Sequence, residues 1–200
     1  MTRSEERWVV ATANRGKLAE IQAILAGTGL TLVAQSELGI EPAEESAPTF
    51  VENALLKARH AARASSLPAI ADDSGLVVDA LGGQPGVRSA RFAGPDASDE
   101  ANIERLLSAL EGVPEAQRTA RFHCVIVAMR SADDPAPVIA AGTWEGKIAL
   151  HPSGSNGFGY DPVFVIPSLG CTAAELPPGR KNELSHRAGA LRELARQLRR

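Results

Sequence analysis

Four short segments of this chain hold residue types that can act on phosphate or on a flat aromatic ligand. In Ala11-Thr12-Ala13-Asn14-Arg15-Gly16-Lys17-Leu18-Ala19-Glu20 an apolar strand runs into a polar turn and then a helix. Exposed N–H groups and the positive dipole end at such a junction suit a phosphate. Asn14 can donate from its amide, and Lys17 supplies a point charge one turn into the helix. The pattern GxxxxGK[ST] is absent, so this is no Walker A loop. The second segment is acidic: Glu44 and Glu45, then Asp72 and Asp73. A hard cation such as Mg²⁺ takes a few carboxylates together with substrate phosphates. Neighbours on an extended strand point to opposite faces, so only one of Asp72 and Asp73 need face a given site unless the strand breaks at Ser74-Gly75.

The third segment, Ser153-Gly154-Ser155-Asn156-Gly157-Phe158-Gly159-Tyr160-Asp161-Pro162, sets an aromatic ring between two glycines. Such a ring is poorly shielded for a core residue and can stack on a base. Its spacing is not that of a dinucleotide fingerprint. The fourth is Lys181-Asn182-Glu183-Leu184-Ser185-His186-Arg187. Ser185 is a good N-cap, which puts His186 and Arg187 in a first helical turn, where basic residues oppose the dipole. A ligand would account for them. The first three segments also have a plain reading: an ordinary strand-to-helix turn, a turn with Asp caps, a hairpin loop. His60, His123 and His151 read as structural, and Cys124 and Cys171 as buried small apolar residues.

The elements that must position these groups follow from apolar periodicity. Strands are expected at 8–12, 30–34, 69–73, 76–79, 119–129, 138–147 and 163–166, with Ser74-Gly75 separating the third and fourth. Helices are expected at 17–27, from Thr49 to about Ser65, at 99–110, and from near Ser185 to the end. Thr49 and Glu52 form a capping box in which each side chain satisfies a backbone donor. Arg196, Arg199 and Arg200 suit the negative end of the last helix. Interspersed strands and helices make the class α/β, and the long strands between 119 and 147 look antiparallel, so the sheet is mixed. No linker marks a boundary, so residues 1–200 are expected to form a single domain with two lobes.

Composition narrows the function. The chain has 200 residues, 44% hydrophobic and 22% charged, which excludes a collagen, a rod and wholesale disorder. A net charge of −3 gives no global basic field, so nucleic acid is not an expected partner. No apolar run is long enough for a membrane span, and the charged start Met1 to Arg7 lacks a signal-peptide core. Two distant cysteines form neither a disulfide framework nor a zinc site, and a cytoplasmic setting fits.

Taken together, Thr12-Ala13-Asn14-Arg15-Gly16-Lys17, the segment TFVENALLKA from Thr49 to Ala58, Ala71-Asp72-Asp73-Ser74-Gly75-Leu76, Gly157-Phe158-Gly159-Tyr160-Asp161-Pro162 and Ser185-His186-Arg187 resemble the inosine triphosphate pyrophosphatase family from about Val9 to Leu194. Arg88, where members often carry Tyr, lies outside these motifs. The resemblance implies a long mixed sheet with two α/β lobes flanking a substrate cleft. It implies Mg²⁺-dependent hydrolysis of ITP, dITP and XTP to the monophosphate and pyrophosphate, in a homodimer that cleanses the nucleotide pool. Carried over residue by residue, Thr12, Ala13, Asn14, Arg15, Gly16 and Lys17 would hold phosphate. Asp73 would be the general base and a metal-side carboxylate, with Glu44 a further metal ligand and Ser74 a substrate contact. Phe158, Gly159, Tyr160, Asp161, Lys181, His186 and Arg187 would form the base and sugar pocket. Rival readings are a pyrophosphatase for another nucleotide such as dUTP, a nucleotide-binding module without turnover, and a nucleic-acid binder.

Overall fold

Buried parallel strands read as apolar runs because helices cover both of their faces, and three such runs begin the structure. The computed structural model describes residues 6–199. The charged start at residues 1–5 and the last arginine, Arg200, lie outside the described residues. The elements are β1 (Glu6–Ala11), α1 (Arg15–Leu25), β2 (Leu30–Ala34), α2 (Phe50–Ser65), β3 (Ala69–Val78), α3 (Asp99–Ala109), β4 (Thr119–Met129), β5 (Val138–Ile148), β6 (Phe164–Ile166), β7 (Cys171–Thr172), α4 (Pro178–Leu184) and α5 (His186–Leu198), with six short 3₁₀ turns among the described residues. The sheet order is β2-β1-β3-β4-β5-β6-β7. β1 is parallel to β2 and to β3, whereas β6 is antiparallel to β5 and to β7. The expectation of a mixed α/β sheet is met. Among the described residues no helix is long and apolar enough to cross a membrane.

The chain falls into two compact units. One runs up to Asp73, takes in Cys124–Gly142 and resumes at Arg187; the other is Ser74–His123 with Thr143–His186. In the first unit, strand alternation sorts the core into two faces. Trp8, Val10, Ile70, Cys124 and Ile126 pack with Ile21 and Leu25 of α1 and Leu191 and Leu194 of α5. Val9, Ala11, Ala69, Ala71, Val125 and Val127 pack with Ala54, Ala58, Ala61 and Ala62 of α2. The small residues of α2 let its backbone come close to the sheet. Asn14 caps α1 by accepting the N–H of Lys17, and Thr49 caps α2 by accepting that of Glu52. The Glu52 carboxylate, expected on a backbone donor, instead accepts the hydroxyl of Thr49.

The second unit is built on aromatic and branched side chains: Phe122, Trp144, Tyr160 and Phe164 with Leu76, Ile103, Leu106 and Leu110. Arg118 is buried and donates to the carbonyls of Leu110 and Val113, just past the end of α3, and of Ala149, just past the end of β5.

Two readings need correction, and one helix was not expected. Ser74-Gly75 does not separate two strands; β3 is continuous from Ala69 to Val78, because neighbouring strands supply ladder partners that outweigh the turn propensity of the pair. Asp79, expected in a strand, opens a 3₁₀ turn. The last helix starts where expected, at His186 directly after Ser185, but Ser185 also closes α4, a short helix not expected from the sequence; Pro178 at its first position costs no hydrogen bond.

Gly146 lies against the ring of Phe164: a Cβ there would meet its Cζ at 2.5 Å and the carbonyl oxygen of Val165 at 2.6 Å. Gly146→Ala is expected to lower unfolding free energy by about 1–3 kcal/mol through overpacking. Urea denaturation checks this, with an unchanged midpoint counting against it.

Candidate active site

The alternation that sorts the core also separates the two aspartates. Asp72 follows Ile70 onto the face of α1 and α5, and Asp73 follows Ala71 onto the face of α2. Both are buried, Asp72 to 1% and Asp73 to 4% exposure.

Asp72 gathers cations. Its Oδ1 lies 2.6 Å from Lys17 Nζ. Its Oδ2 accepts from Arg187 Nε at 3.2 Å and from the thiol of Cys124 at 2.9 Å. Arg187 is buried as well and also pairs with Glu20, one helical turn beyond Lys17 on α1. Burial would raise the Asp72 carboxyl, but Arg187, then Lys17 and Lys57, and the Cys124 thiol hold it well below the usual carboxylate range. Burial, reinforced by Asp72, pushes the Cys124 thiol well up, so it stays a protonated donor. The basic start of α5 thus has a structural account: its arginine answers two carboxylates.

Asp73 sits differently. Its Oδ1 accepts from Lys57 Nζ at 2.8 Å, and the same ammonium donates to Glu45 Oε1 at 2.7 Å. Its Oδ2 is buried without a hydrogen-bond partner. Burial pushes the Asp73 carboxyl up from its ordinary value, against the pull of Lys57 and Lys17. The Lys57 ammonium is lowered by burial but raised more by Asp73, Glu45 and Asp72 together, and ends above its ordinary value. Glu45 is placed by a loop without regular structure. Asn53 of α2 fixes that loop, accepting the N–H of Ala47 at 2.9 Å and donating to its carbonyl at 3.2 Å.

The turn before α1 has its own order. Thr12 Oγ1 accepts the N–H of Asn14 at 3.1 Å, and Asn14 Oδ1 accepts that of Lys17 at 3.0 Å. The N–H groups of Arg15 and Gly16 have no acceptor within the helix. Ala13, Asn14 and Arg15 are exposed, while Thr12, Gly16 and Lys17 are partly covered. Glu44 is exposed; the carboxylate that joins Asp73 through Lys57 is that of its neighbour Glu45.

The second unit holds the remaining expected residues. Asp161, 2% exposed, accepts the N–H of Phe158 at 3.0 Å and the buried ammonium of Lys181 on α4. That ammonium also lies 4.5 Å from the centre of the Phe158 ring. Gly157 is needed here: its φ is +76°, and a Cβ would come within 2.0 Å of the Asp161 carboxylate. Gly159 donates to Asp99 at 2.6 Å, and the hydroxyl of Tyr160 donates to the carbonyl of Ser89 at 2.8 Å. His186 is buried and stacks on Phe122, ring centres 4.8 Å apart. Ser74 is partly exposed on β3.

Lys57, Glu20 and Asp99 were missed in the sequence. Lys57 could have been found: it interrupts the alanine stripe at 54, 58 and 61, where a solvated lysine has no place. Among the described residues, no three histidine, cysteine or carboxylate groups form a ready metal cage.

A parallel β-α-β turn with available backbone donors, beside a buried aspartate held by a lysine, defines an α/β protein with the groups needed to handle phosphate. The sequence model of the Ham1 family matches residues 8–197, and the chain belongs to this family. It is 58% identical over 194 residues to a dITP/XTP pyrophosphatase of Yersinia pseudotuberculosis serotype I (strain IP32953), covering 97% of this chain and 98% of that one. To the dITP/XTP pyrophosphatase of Escherichia coli O157:H7 it is 54% identical, with the same coverage. A solved HAM1 protein from Coxiella burnetii superposes with a TM-score of 0.89 at 50% identity, over 96% of this chain and 98% of that one. The Ham1 protein of Staphylococcus aureus gives 0.85 at 41% identity, over 97% and 98%. The family expected from the motifs is the family found.

Removing Asp72 leaves the buried Arg187 and the partly covered Lys17 without their shared carboxylate. Asp72→Asn is expected to cost about 3–5 kcal/mol of unfolding free energy, as for other broken buried pairs. Cys124→Ala, which removes one weak donor, should cost less than half as much. Urea titrations of both variants give the comparison, and equal losses would refute this ranking.

Proposed function

We propose that the chain hydrolyses non-standard purine nucleoside triphosphates, ITP, dITP and XTP, to the nucleoside monophosphate and pyrophosphate. The observation that carries the reading is Asp73: one carboxylate oxygen is fixed by Lys57 and the other is a buried acceptor with no donor. A general base needs an oriented carboxylate with a lone pair left for a water proton, and the open oxygen has two, so one remains for a cation. The names of the relatives support the substrate class.

In this reading the N–H groups of Arg15 and Gly16 bind phosphate oxygens at the start of α1. Lys17, held by Asp72, adds charge there without swinging away. Asp73 accepts a proton from water as its oxygen attacks the α-phosphorus; the bond to the bridging oxygen breaks and pyrophosphate leaves. Lys57 keeps the Asp73 carboxylate aimed and steadies its charge.

The cluster itself calls for a cation. Lys17, Lys57 and Arg187 face Glu20, Glu45, Asp72 and Asp73, three positive groups against four negative. A triphosphate adds about four more negative charges, and so needs a metal. The orphaned Oδ2 of Asp73 and the carboxylate of Glu45 fit Mg²⁺, which prefers one or two carboxylates and substrate phosphates. When bound, the ion offsets the charge of the triphosphate and its leaving group. Glu45 takes the part expected of Glu44.

The purine is assigned to the groups of the second unit. Phe158 offers a face for stacking. Hypoxanthine and xanthine present an acceptor at C6 where adenine presents an amine, and donors such as Lys181 and His186 favour the former. A cytoplasmic homodimer is the setting we propose, supported by the family resemblance.

The purified protein is to be incubated with ITP, ATP and GTP, with and without Mg²⁺. IMP and pyrophosphate, formed only with Mg²⁺ and far faster than products from ATP or GTP, are expected; IDP and orthophosphate would overturn the reading. In ¹⁸O-water the label should enter IMP. Asp73→Asn should lower kcat by about 10²–10⁴-fold with KM within a few-fold, whereas Phe158→Ala should mainly raise KM. Steady-state kinetics separates the two.

A further inference from the structure

We infer that Asp99 is a positioning residue that sets the base-stacking ring of Phe158 by tethering the next residue of its loop. Asp99 stands in the first turn of α3, and its carboxylate accepts the N–H of Gly159, sixty residues away in the chain, at 2.6 Å. An acidic residue there is usually explained by the helix dipole. That explanation is already taken up in this helix: Ser98 caps α3 by accepting the N–H of Ala101, and Glu100 is held low by its own backbone N–H and by the Ser98 side chain. The Asp99 carboxylate turns instead to the loop.

The loop needs such a tether. Gly157 and Gly159 both have positive φ, +76° and +60°, so the backbone on either side of Phe158 takes conformations with little steric guidance. Three polar contacts replace that guidance: Asp161 takes the N–H of Phe158, Asp99 takes that of Gly159, and Tyr160 reaches the carbonyl of Ser89. Asp161 and Tyr160 belong to the loop's own end. Asp99 is the contact that comes from α3, and it lines with Phe158, Ile103 and Pro162 a pocket of about 460 Å³. It touches no substrate in this account; it acts through Phe158. The inference rests on the reading of Phe158 as the base-stacking ring.

The test is a double-mutant cycle on the full chain with ITP as substrate and amide exchange as a second readout. Asp99→Ala is expected to raise KM about tenfold, the factor of one modest interaction, with kcat within twofold. Asp99→Asn keeps an acceptor and should restore KM to within about twofold. In the Phe158→Ala background, Asp99→Ala should add no further loss. The Gly159 amide should exchange faster in Asp99→Ala than in Asp99→Asn. Wild-type KM in Asp99→Ala, losses that add in the double variant, or an unchanged Gly159 amide would each overturn the tether. If Phe158→Ala itself leaves KM unchanged while the amide responds to Asp99→Ala, the base-stacking role of Phe158 fails and the tether stands as a loop contact only.

Discussion

Taking a carboxylate out of water costs several kcal/mol unless opposite charge and hydrogen bonds meet it, and Asp72 has almost no access to solvent. Its compensation comes from three elements: Lys17 on α1, Arg187 on α5 and the thiol of Cys124 on β4. Each partner is thereby fixed. The arrangement ties α1, the helix that follows the turn at residues 12–14, to the strand that carries Asp73. Glu20 completes the array by balancing Arg187, so positive and negative groups alternate from Lys17 to Glu20. The neutral pairing of strand and helices would be cheaper in apolar residues; what the charges add is a defined direction for Lys17.

Asp161 repeats the device in the second unit. It too is buried, it too holds an ammonium, and it adds a backbone N–H. The outcome differs because of what lies next to it. Beside Asp72 stands a second carboxylate with an open oxygen, which suits proton transfer. Beside Asp161 stands an aromatic ring with a cation over it, which suits recognition of a flat ligand. One physical solution, a sunken carboxylate organising donors, thus recurs in both units with different neighbours.

Much of this was readable in the residues. The strands at 30–34 and 119–129 fall where apolar runs placed them, and Thr49 caps α2 as its polar side chain ahead of the helix implied, whereas Asn14, read as a phosphate donor, caps α1, which begins two residues before its expected start. The opposite facing of Asp72 and Asp73 follows from strand geometry alone. Which aspartate faces which helix did not follow, because that depends on the sheet order and on α5, whose partner residues lie over a hundred positions away. Lys57 and Glu20 escaped because each is unremarkable in its own helix and gains meaning only from a carboxylate or guanidinium on another element. Glu44 and Glu45 are equal in sequence; the Asn53 clamp on Ala47 sets the loop that brings Glu45 to Lys57.

The chain passes between its two units at Asp73–Ser74, His123–Cys124, Gly142–Thr143 and His186–Arg187. Three of those four crossings touch residues of the buried cluster around Asp72 and Asp73: Asp73, Cys124 and Arg187. Neither unit is therefore a severable stretch of gene. A recombination event that exchanged one unit for another would have to cut at four places, and at three of them it would cut beside a member of that buried cluster. Exchanging one unit as a module is therefore harder for such a chain than point substitution within either unit.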